Sequence, residues 1–425
     1  MIKNLNFKKK KYNVMKPIKF IYILFFATVF LSCKEEPGYL QIGTWRGTFN
    51  TQNIEIPFNF KVEDDTAGLV KVLLTNGEEK FQLDSIRYER DSVIVPIDVY
   101  DAQLIGKLNG DSLTGYFRKN QSSKQGIPFT AVRGQTSRFV TNSTKPVIVE
   151  GKWSVSLINE KNETRYTVGL FNQDHAQVNG TILTTTGDFR YFQGVVDADS
   201  LKISGFSGSN PSLLRAKIVD SLHLTGELIS PTGRTLFVAI KSDTAKLPDP
   251  YALTYLKEGY DRLDFTFPDL SGKPVSLQDE KYKNKVVVIT IMGSWCPNCV
   301  DEAAFLAPWH KENKARGVEI VALSFERKDD LAFARERINK FIKRFDIEYE
   351  ILFAGLADKA KASEKLPALN RVLSFPTTIL IDRAGKVRKI HTGFSGPATG
   401  AYYREFIQHF NEDVTALLNE SENSI

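Results

Sequence analysis

Two cysteines stand three positions apart in Trp295-Cys296-Pro297-Asn298-Cys299, directly after the apolar run Val286-Val287-Val288-Ile289-Thr290-Ile291-Met292. A strand that delivers such a pair to the start of a helix sets the first sulfur among unpaired backbone N–H groups at the positive end of the helix dipole, where a thiolate is favoured. Disulfide exchange needs that thiolate as attacker and a second thiol in reach to resolve the mixed disulfide. Cys296 is therefore expected to attack, and Cys299, one turn further in, to resolve. Zinc is the competing use of a Cys-x-x-Cys pair, but it requires two further ligands. His175, His223, His310, His391 and His409 form no His-x-x-x-His pair, and no second Cys-x-x-Cys exists. Neither a metal nor another cofactor is expected.

Glu302 lies three residues past Cys299. That spacing returns it to the same helix face, where a carboxylate can move a proton for a buried thiol. Trp295, beside the first cysteine, is expected to shield the pair. The elements that must hold these groups are legible around them. Val318-Glu319-Ile320-Val321-Ala322-Leu323-Ser324-Phe325 reads as a buried strand, Asp329 to Phe345 as a helix, and Tyr349-Glu350-Ile351-Leu352-Phe353 as another strand. Thr377 to Asp382 and Val387 to His391 read as a hairpin around Arg383-Ala384-Gly385-Lys386, and Tyr402 to Leu418 as a closing helix. Strands alternating with helices imply an α/β domain over residues 259–420.

Residues 256 to 420 resemble a TlpA-like thiol-disulfide oxidoreductase of the thioredoxin superfamily. The resemblance is carried by Gly293-Ser294-Trp295-Cys296-Pro297-Asn298-Cys299, by Glu302, by Phe375-Pro376-Thr377-Thr378 and by the entry segment from Phe265 to Lys273. It implies a thioredoxin fold in which Cys296, Cys299 and Glu302 are catalytic and Trp295, Phe375 and Pro376 contact substrate. Phe375-Pro376 would be the cis-proline loop, facing the cysteines and presenting the Phe375 backbone to an extended substrate. Thr290 sits where thioredoxin itself has an aspartate, six residues before the first cysteine, which leaves Glu302 the better proton carrier. One departure is Ala304, where the family often has a proline; the nearest here is Pro308. A peroxiredoxin-like peroxidase, a fold relative, would need Pro-x-x-x-Thr-x-x-Cys. Ile289 and Gly293 occupy its Pro and Thr positions.

Upstream, residues 38 to about 245 are short alternating segments broken by turn residues, the pattern of antiparallel β structure. A weak repeat divides them. Gly43-Thr44-Trp45 returns as Gly151-Lys152-Trp153 and Asp91-Ser92-Val93 as Asp199-Ser200-Leu201, both 108 positions later, and Asp111-Ser112-Leu113 returns as Asp220-Ser221-Leu222. Two all-β domains, 33–140 and 145–245, are expected, each an antiparallel sandwich or barrel, followed by a linker at 246–258. The Gly-x-Trp opening resembles the first strand of lipocalin-like barrels; a plain core tryptophan serves a sandwich equally well.

The chain of 425 residues carries a net charge of +6, but residues 1–32 hold seven lysines and no acid, and without them the remainder is at −1. No nucleic-acid partner follows from that balance. The lysines lead into the apolar stretch Phe20 to Leu31, short for a membrane span, which reads as a secretory signal over 1–32. Leu31-Ser32-Cys33 resembles a lipobox, making Cys33 the lipidated residue, although Phe30 is larger than the usual residue at its position. Lys34-Glu35-Glu36 resembles a surface-export signal of some Gram-negative lineages. The expectation is an envelope lipoprotein, in the outer membrane facing the periplasm or displayed at the surface. With Cys33 lipidated, Cys296 and Cys299 are the only remaining cysteines, and an exported protein with one Cys-x-x-Cys uses it for redox work. The combined reading is a membrane-anchored oxidoreductase, a reductase more than an oxidase, acting on protein or small-molecule disulfides and supplied by an upstream thiol reductant. The alternative is a ligand- or partner-binding lipoprotein whose β domains recruit the redox target.

Overall fold

The computed structural model describes residues 39–64, 70–84, 86–119, 126–141 and 145–420. The signal segment 1–32, Cys33 and Lys34-Glu35-Glu36 lie outside the described residues. In the first β region, alternation places Ile56, Phe58, Phe60 and Val62 of Ile54–Asp64 in the core. Nine antiparallel strands, counted among the described residues, run in meander order from Gly43–Thr51 to Ile127–Arg133, and the first pairs with the last. The two ends of this sheet, Glu79–Gln82 and Arg87–Glu89, share no ladder among the described residues. Among the described residues the sheet is therefore open.

The second β region closes. Strands Gly151–Ile158, Thr164–Asp174, Gln177–Thr184, Phe192–Asp197, Ser200–Gly205, Ser212–Ile218, His223–Ser230 and Gly233–Lys241 pair in sequence, and the last returns to the first, with Trp153 opposite Lys241. Eight strands leave a barrel interior just wide enough for side chains. Trp153, Phe171, Phe192 and Phe237 fill it with aliphatic neighbours. The sequence left sandwich and barrel open; this region is a barrel, packed at its centre. The repeat has a structural counterpart. The Trp45 indole N–H donates to the Gln41 carbonyl and that of Trp153 to the Val149 carbonyl, each at 2.9 Å and each four residues back.

The barrel plugs the open sheet. Phe206, just past Ser200–Gly205, has its ring centroid 4.7 Å from that of Phe49, 5.3 Å from Phe58 and 5.2 Å from Phe117. Beside it the buried Arg138 guanidinium donates to Asn59 Oδ1 (3.0 Å), Asn76 Oδ1 (3.1 Å) and the Ser204 carbonyl (2.7 Å). An unpartnered polar group there would cost ~1–3 kcal/mol or more.

The C-terminal region is a five-stranded sheet in the order Glu350–Leu356, Val318–Glu326, Val286–Met292, Thr377–Ile381, Val387–Thr392. The first three strands are parallel and the last two antiparallel. Helices α1 (Pro297–Asn313), α2 (Leu331–Phe345), α3 (Lys359–Lys365) and α4 (Ala401–Asn419) complete it. Helix α3 is too short to show a period in the sequence; the Asp358 carboxylate caps it by accepting from Lys361 N–H at 2.9 Å. Helix α2 grips the first β sheet, with Arg337 on Asp101, Lys340 on Asp98 (3.2 Å) and Arg344 donating to the Gln82 carbonyl (2.8 Å). The stretch 246–258, expected as a linker, is itself docked. Thr392 N–H donates to the Pro250 carbonyl (3.0 Å), Asn370 N–H to that of Tyr255 (2.9 Å), and Lys257 N–H to that of Ala368 (2.8 Å).

Candidate active site

Every residue of the central strand Val286–Met292 is buried, as expected for a parallel strand covered on both faces. Its end turns through Gly293-Ser294-Trp295 into α1. Cys296 is the N-cap and Pro297 the first helical residue, where a missing N–H costs nothing. The turn is braced from the neighbouring strand. The carboxylate of Glu326 accepts from Ser294 N–H (3.0 Å), Ser294 Oγ–H (2.9 Å) and Ser324 Oγ–H (2.7 Å), and the Trp295 indole donates to the Phe325 carbonyl (3.0 Å).

Cys296 is 6% exposed and Cys299 1%. Cys296 Sγ–H donates to the Phe375 carbonyl at 3.2 Å. Burial pushes the Cys299 thiol well above its ordinary value, and the adjoining Cys296 sulfur and the Glu302 carboxylate add to this. The Phe375–Pro376 bond is cis. Trp295 meets Phe375 edge to face, 5.9 Å between centroids. Glu302 is buried on the inner face of α1, accepting from the hydroxyls of Thr290 and, at 2.6 Å, Thr378. Burial pushes its carboxyl up to about 7, against the pull of both hydroxyls. The structure thus brings Trp295, Cys296, Cys299, Glu302, Phe375 and Pro376 together; Cys33 lies outside the described residues. Pro308 sits inside α1, six residues past Glu302.

The barrel supplies residues that the sequence did not point to. Its loop after Gln177–Thr184 reaches the cysteine loop and the proline loop at once. With its amide oriented to satisfy both partners, Asn298 donates to the Asp188 carbonyl (3.1 Å) and accepts from Asp188 N–H (3.2 Å). Ser374 Oγ–H donates to the Thr186 carbonyl (3.1 Å). The Asp188 carboxylate accepts from Gly396 N–H (2.9 Å). Between them Gly187 has φ +141°, and a Cβ there would stand 1.6 Å from the Asn298 amide. Arg190 is buried among all three sheet regions. It donates to the Pro297 carbonyl (3.1 Å) and pairs with Asp301 (2.7 Å) and with Glu79 of the first sheet (2.6 Å). Burial pushes the Asp301 carboxyl up to about 7, with Arg190 pulling the other way. Glu326 carried a visible signal, a carboxylate ending an apolar strand. Thr186, Asp188 and Arg190 carried none, since they lie more than 100 positions from the cysteines.

Residues 259–390 match the AhpC/TSA family. Thiol-disulfide oxidoreductase ResA of Bacillus subtilis is 30% identical over 138 residues, which span 32% of this chain and 69% of that protein. Thioredoxin-like protein YneN of the same organism is 31% identical over 138 residues, 32% of this chain and 73% of its own. A solved thiol-disulfide oxidoreductase from Bacteroides fragilis aligns with 35% of this chain and 99% of its own at 23% identity, with a TM-score of 0.27. With its thioredoxin-like domain matched in this way, the chain belongs to the ResA-like thiol-disulfide oxidoreductases.

Proposed function

We propose that this protein is an exported, membrane-anchored reductase of disulfides, working through Cys296 and Cys299. The observation that carries the reading is the placement of Cys296 at the N-cap of α1, 3.2 Å from the Phe375 carbonyl, with Cys299 and the buried Glu302 behind it. The Cys296 thiolate attacks one sulfur of the substrate disulfide; that bond breaks and the departing sulfur takes a proton. The Glu302 carboxylate accepts the Cys299 proton, and Cys299 attacks Cys296 Sγ. The second substrate thiolate leaves and a Cys296–Cys299 disulfide forms. Two electrons pass from the protein to the substrate, and an upstream dithiol reductant restores them.

In cells, Cys299→Ser should accumulate mixed disulfides that disappear in Cys296→Ala/Cys299→Ser; an absence of Cys296-dependent adducts would overturn the attack order. Cys33 is the proposed lipid attachment point, holding the protein in the outer membrane facing the periplasm, with Lys34-Glu35-Glu36 as a determinant of surface display. Cys33→Ala should move the protein from the membrane to the soluble fraction, and its retention in membranes would refute the anchor.

A further inference from the structure

Pro297 and Asn298, the two residues between the cysteines, border a cavity that the barrel supplies. About 270 Å³ in volume, it is lined on the barrel side by Arg165, Tyr191, Ser209 and Asn210 and floored by Pro297 and Asn298. A second hollow of about 410 Å³ continues along the barrel rim, sharing Arg165, Phe189 and Ser212 with the first.

Arg165 borders this space, and three further cations lie next to it, to its lining or to the cysteine loop, drawn from the first sheet and the redox domain. Arg165 lines both hollows. Lys359, the first residue of α3, stands where the charges of Arg165 and Cys296 both act on it. Burial pushes its ammonium below the ordinary value, Arg165 adds to this and the Cys296 sulfur opposes it. Arg327 lies over the Trp295 ring, 5.3 Å from its centroid. Lys119, from the first sheet, donates to Asn210 Oδ1 at 2.9 Å, and burial followed by the Arg327 charge pushes it down to about 8. Among the described residues none of the four is ion-paired with a carboxylate, whereas the adjacent Arg190 is saturated by Glu79 and Asp301. Lys359 beside Arg165, and Lys119 beside Arg327, are like charges that repel each other and are relieved by an anion.

Access to the sulfur is narrow. Cys296 is 6% exposed, and the barrel loop rests on Ser374 at 3.1 Å and on Asn298 at 3.1 Å. These contacts tie the barrel loop to the two loops that flank the sulfur, and the space beside them, about 270 Å³, has the dimensions of a small molecule rather than of a folded protein face.

We propose that this cavity is the substrate seat and that the substrate is a low-molecular-weight disulfide bearing carboxylates, with Arg165, Lys359, Arg327 and Lys119 holding the acidic groups while the disulfide meets Cys296. The proposal rests on the reading of Cys296 and Cys299 as the reducing pair. Cys296 Sγ forms a bond to one substrate sulfur as the substrate S–S bond breaks, and the first carboxylate-bearing thiol leaves. Cys299 then displaces the second. The two electrons come from the cysteine pair, which a dithiol reductant renews.

The test follows oxidation of the reduced full chain by three small disulfides: oxidised glutathione, which is anionic, neutral hydroxyethyl disulfide and cationic cystamine. Oxidised glutathione should react at least ten times faster than cystamine, with the gap narrowing as salt is added. In the Arg165→Glu/Lys359→Glu variant the glutathione to hydroxyethyl rate ratio should fall at least tenfold. A ratio unchanged within twofold, or cystamine matching glutathione in the wild type, overturns the proposal. If Cys296-dependent reduction occurs only with a protein disulfide such as insulin, the redox reading stands and this substrate class falls. If Cys296→Ala leaves every rate unchanged, the redox reading itself fails.

Discussion

Replacing Glu302 by glutamine separates its charge from its shape. The carboxyl is 2% exposed, between the hydroxyls of Thr290 and Thr378. Glutamine can accept from one threonine and donate to the other, so the packing is kept. In the folded protein burial moves the carboxyl from 4.5 up to about 7. Between those values the folded state holds a proton that the unfolded state has released, so the stability linked to this group is complete below pH ~4.5 and is lost as pH rises through about 7. The interval corresponds to roughly 3 kcal/mol at 1.36 kcal/mol per unit. Guanidinium unfolding of the disulfide-closed form avoids thiol titration, and Asp301, which titrates in the same window, cancels between the two proteins. Glu302→Gln should match wild type near pH 4.5 and exceed it by roughly 3 kcal/mol above pH 8. Resolution of a Cys296 mixed disulfide should slow about 10²-fold in the variant and lose its pH dependence near 7. Parallel stability curves at all pH values would refute the buried, raised acid. A wild-type resolution rate in the variant would refute proton transfer by Glu302.

Two further substitutions probe the contact between barrel and redox domain. Arg190→Ala leaves Asp301 and Glu79 buried without their cation and should cost ~3–5 kcal/mol at pH 8 in guanidinium unfolding. The loss should shrink at pH 5, where Asp301, pushed by burial up to about 7, carries its own proton; equal losses at both pH values would count against a charge clasp. Gly187→Val places carbon where the Asn298 amide stands and should lift the loop from α1. Alkylation of Cys296 by neutral iodoacetamide, located by mass spectrometry, should then accelerate several-fold, and an unchanged rate would show that the loop does not limit access.

Much of this architecture was legible because it is local. The Cys-x-x-Cys spacing, the apolar run before it and the return of Glu302 to the cysteine face are properties of a strand followed by a helix, and the structure places those side chains as the spacing implied. The alternation that marked residues 38–245 as β, and the repeated Gly-x-Trp, likewise survive as strands and as a shared indole hydrogen bond. Period-two alternation says which face of a strand is buried; it does not say whether the last strand finds the first. Closure of Gly233–Lys241 onto Gly151–Ile158, and the failure of Glu79–Gln82 to meet Arg87–Glu89 among the described residues, are decided by register and twist summed over a whole sheet. The seating of Thr186, Asp188 and Arg190 against Asn298, Ser374 and Asp301, and the approach of Lys119 to Asn210, of Arg165 to Lys359 and of Arg327 to Trp295, depend on contacts between residues that only folding makes neighbours. The sequence by itself determined the candidate reacting groups and the elements beneath them. Tertiary structure alone decided how the barrel encloses them, because that enclosure is built from long-range pairings that leave no periodic trace along the chain.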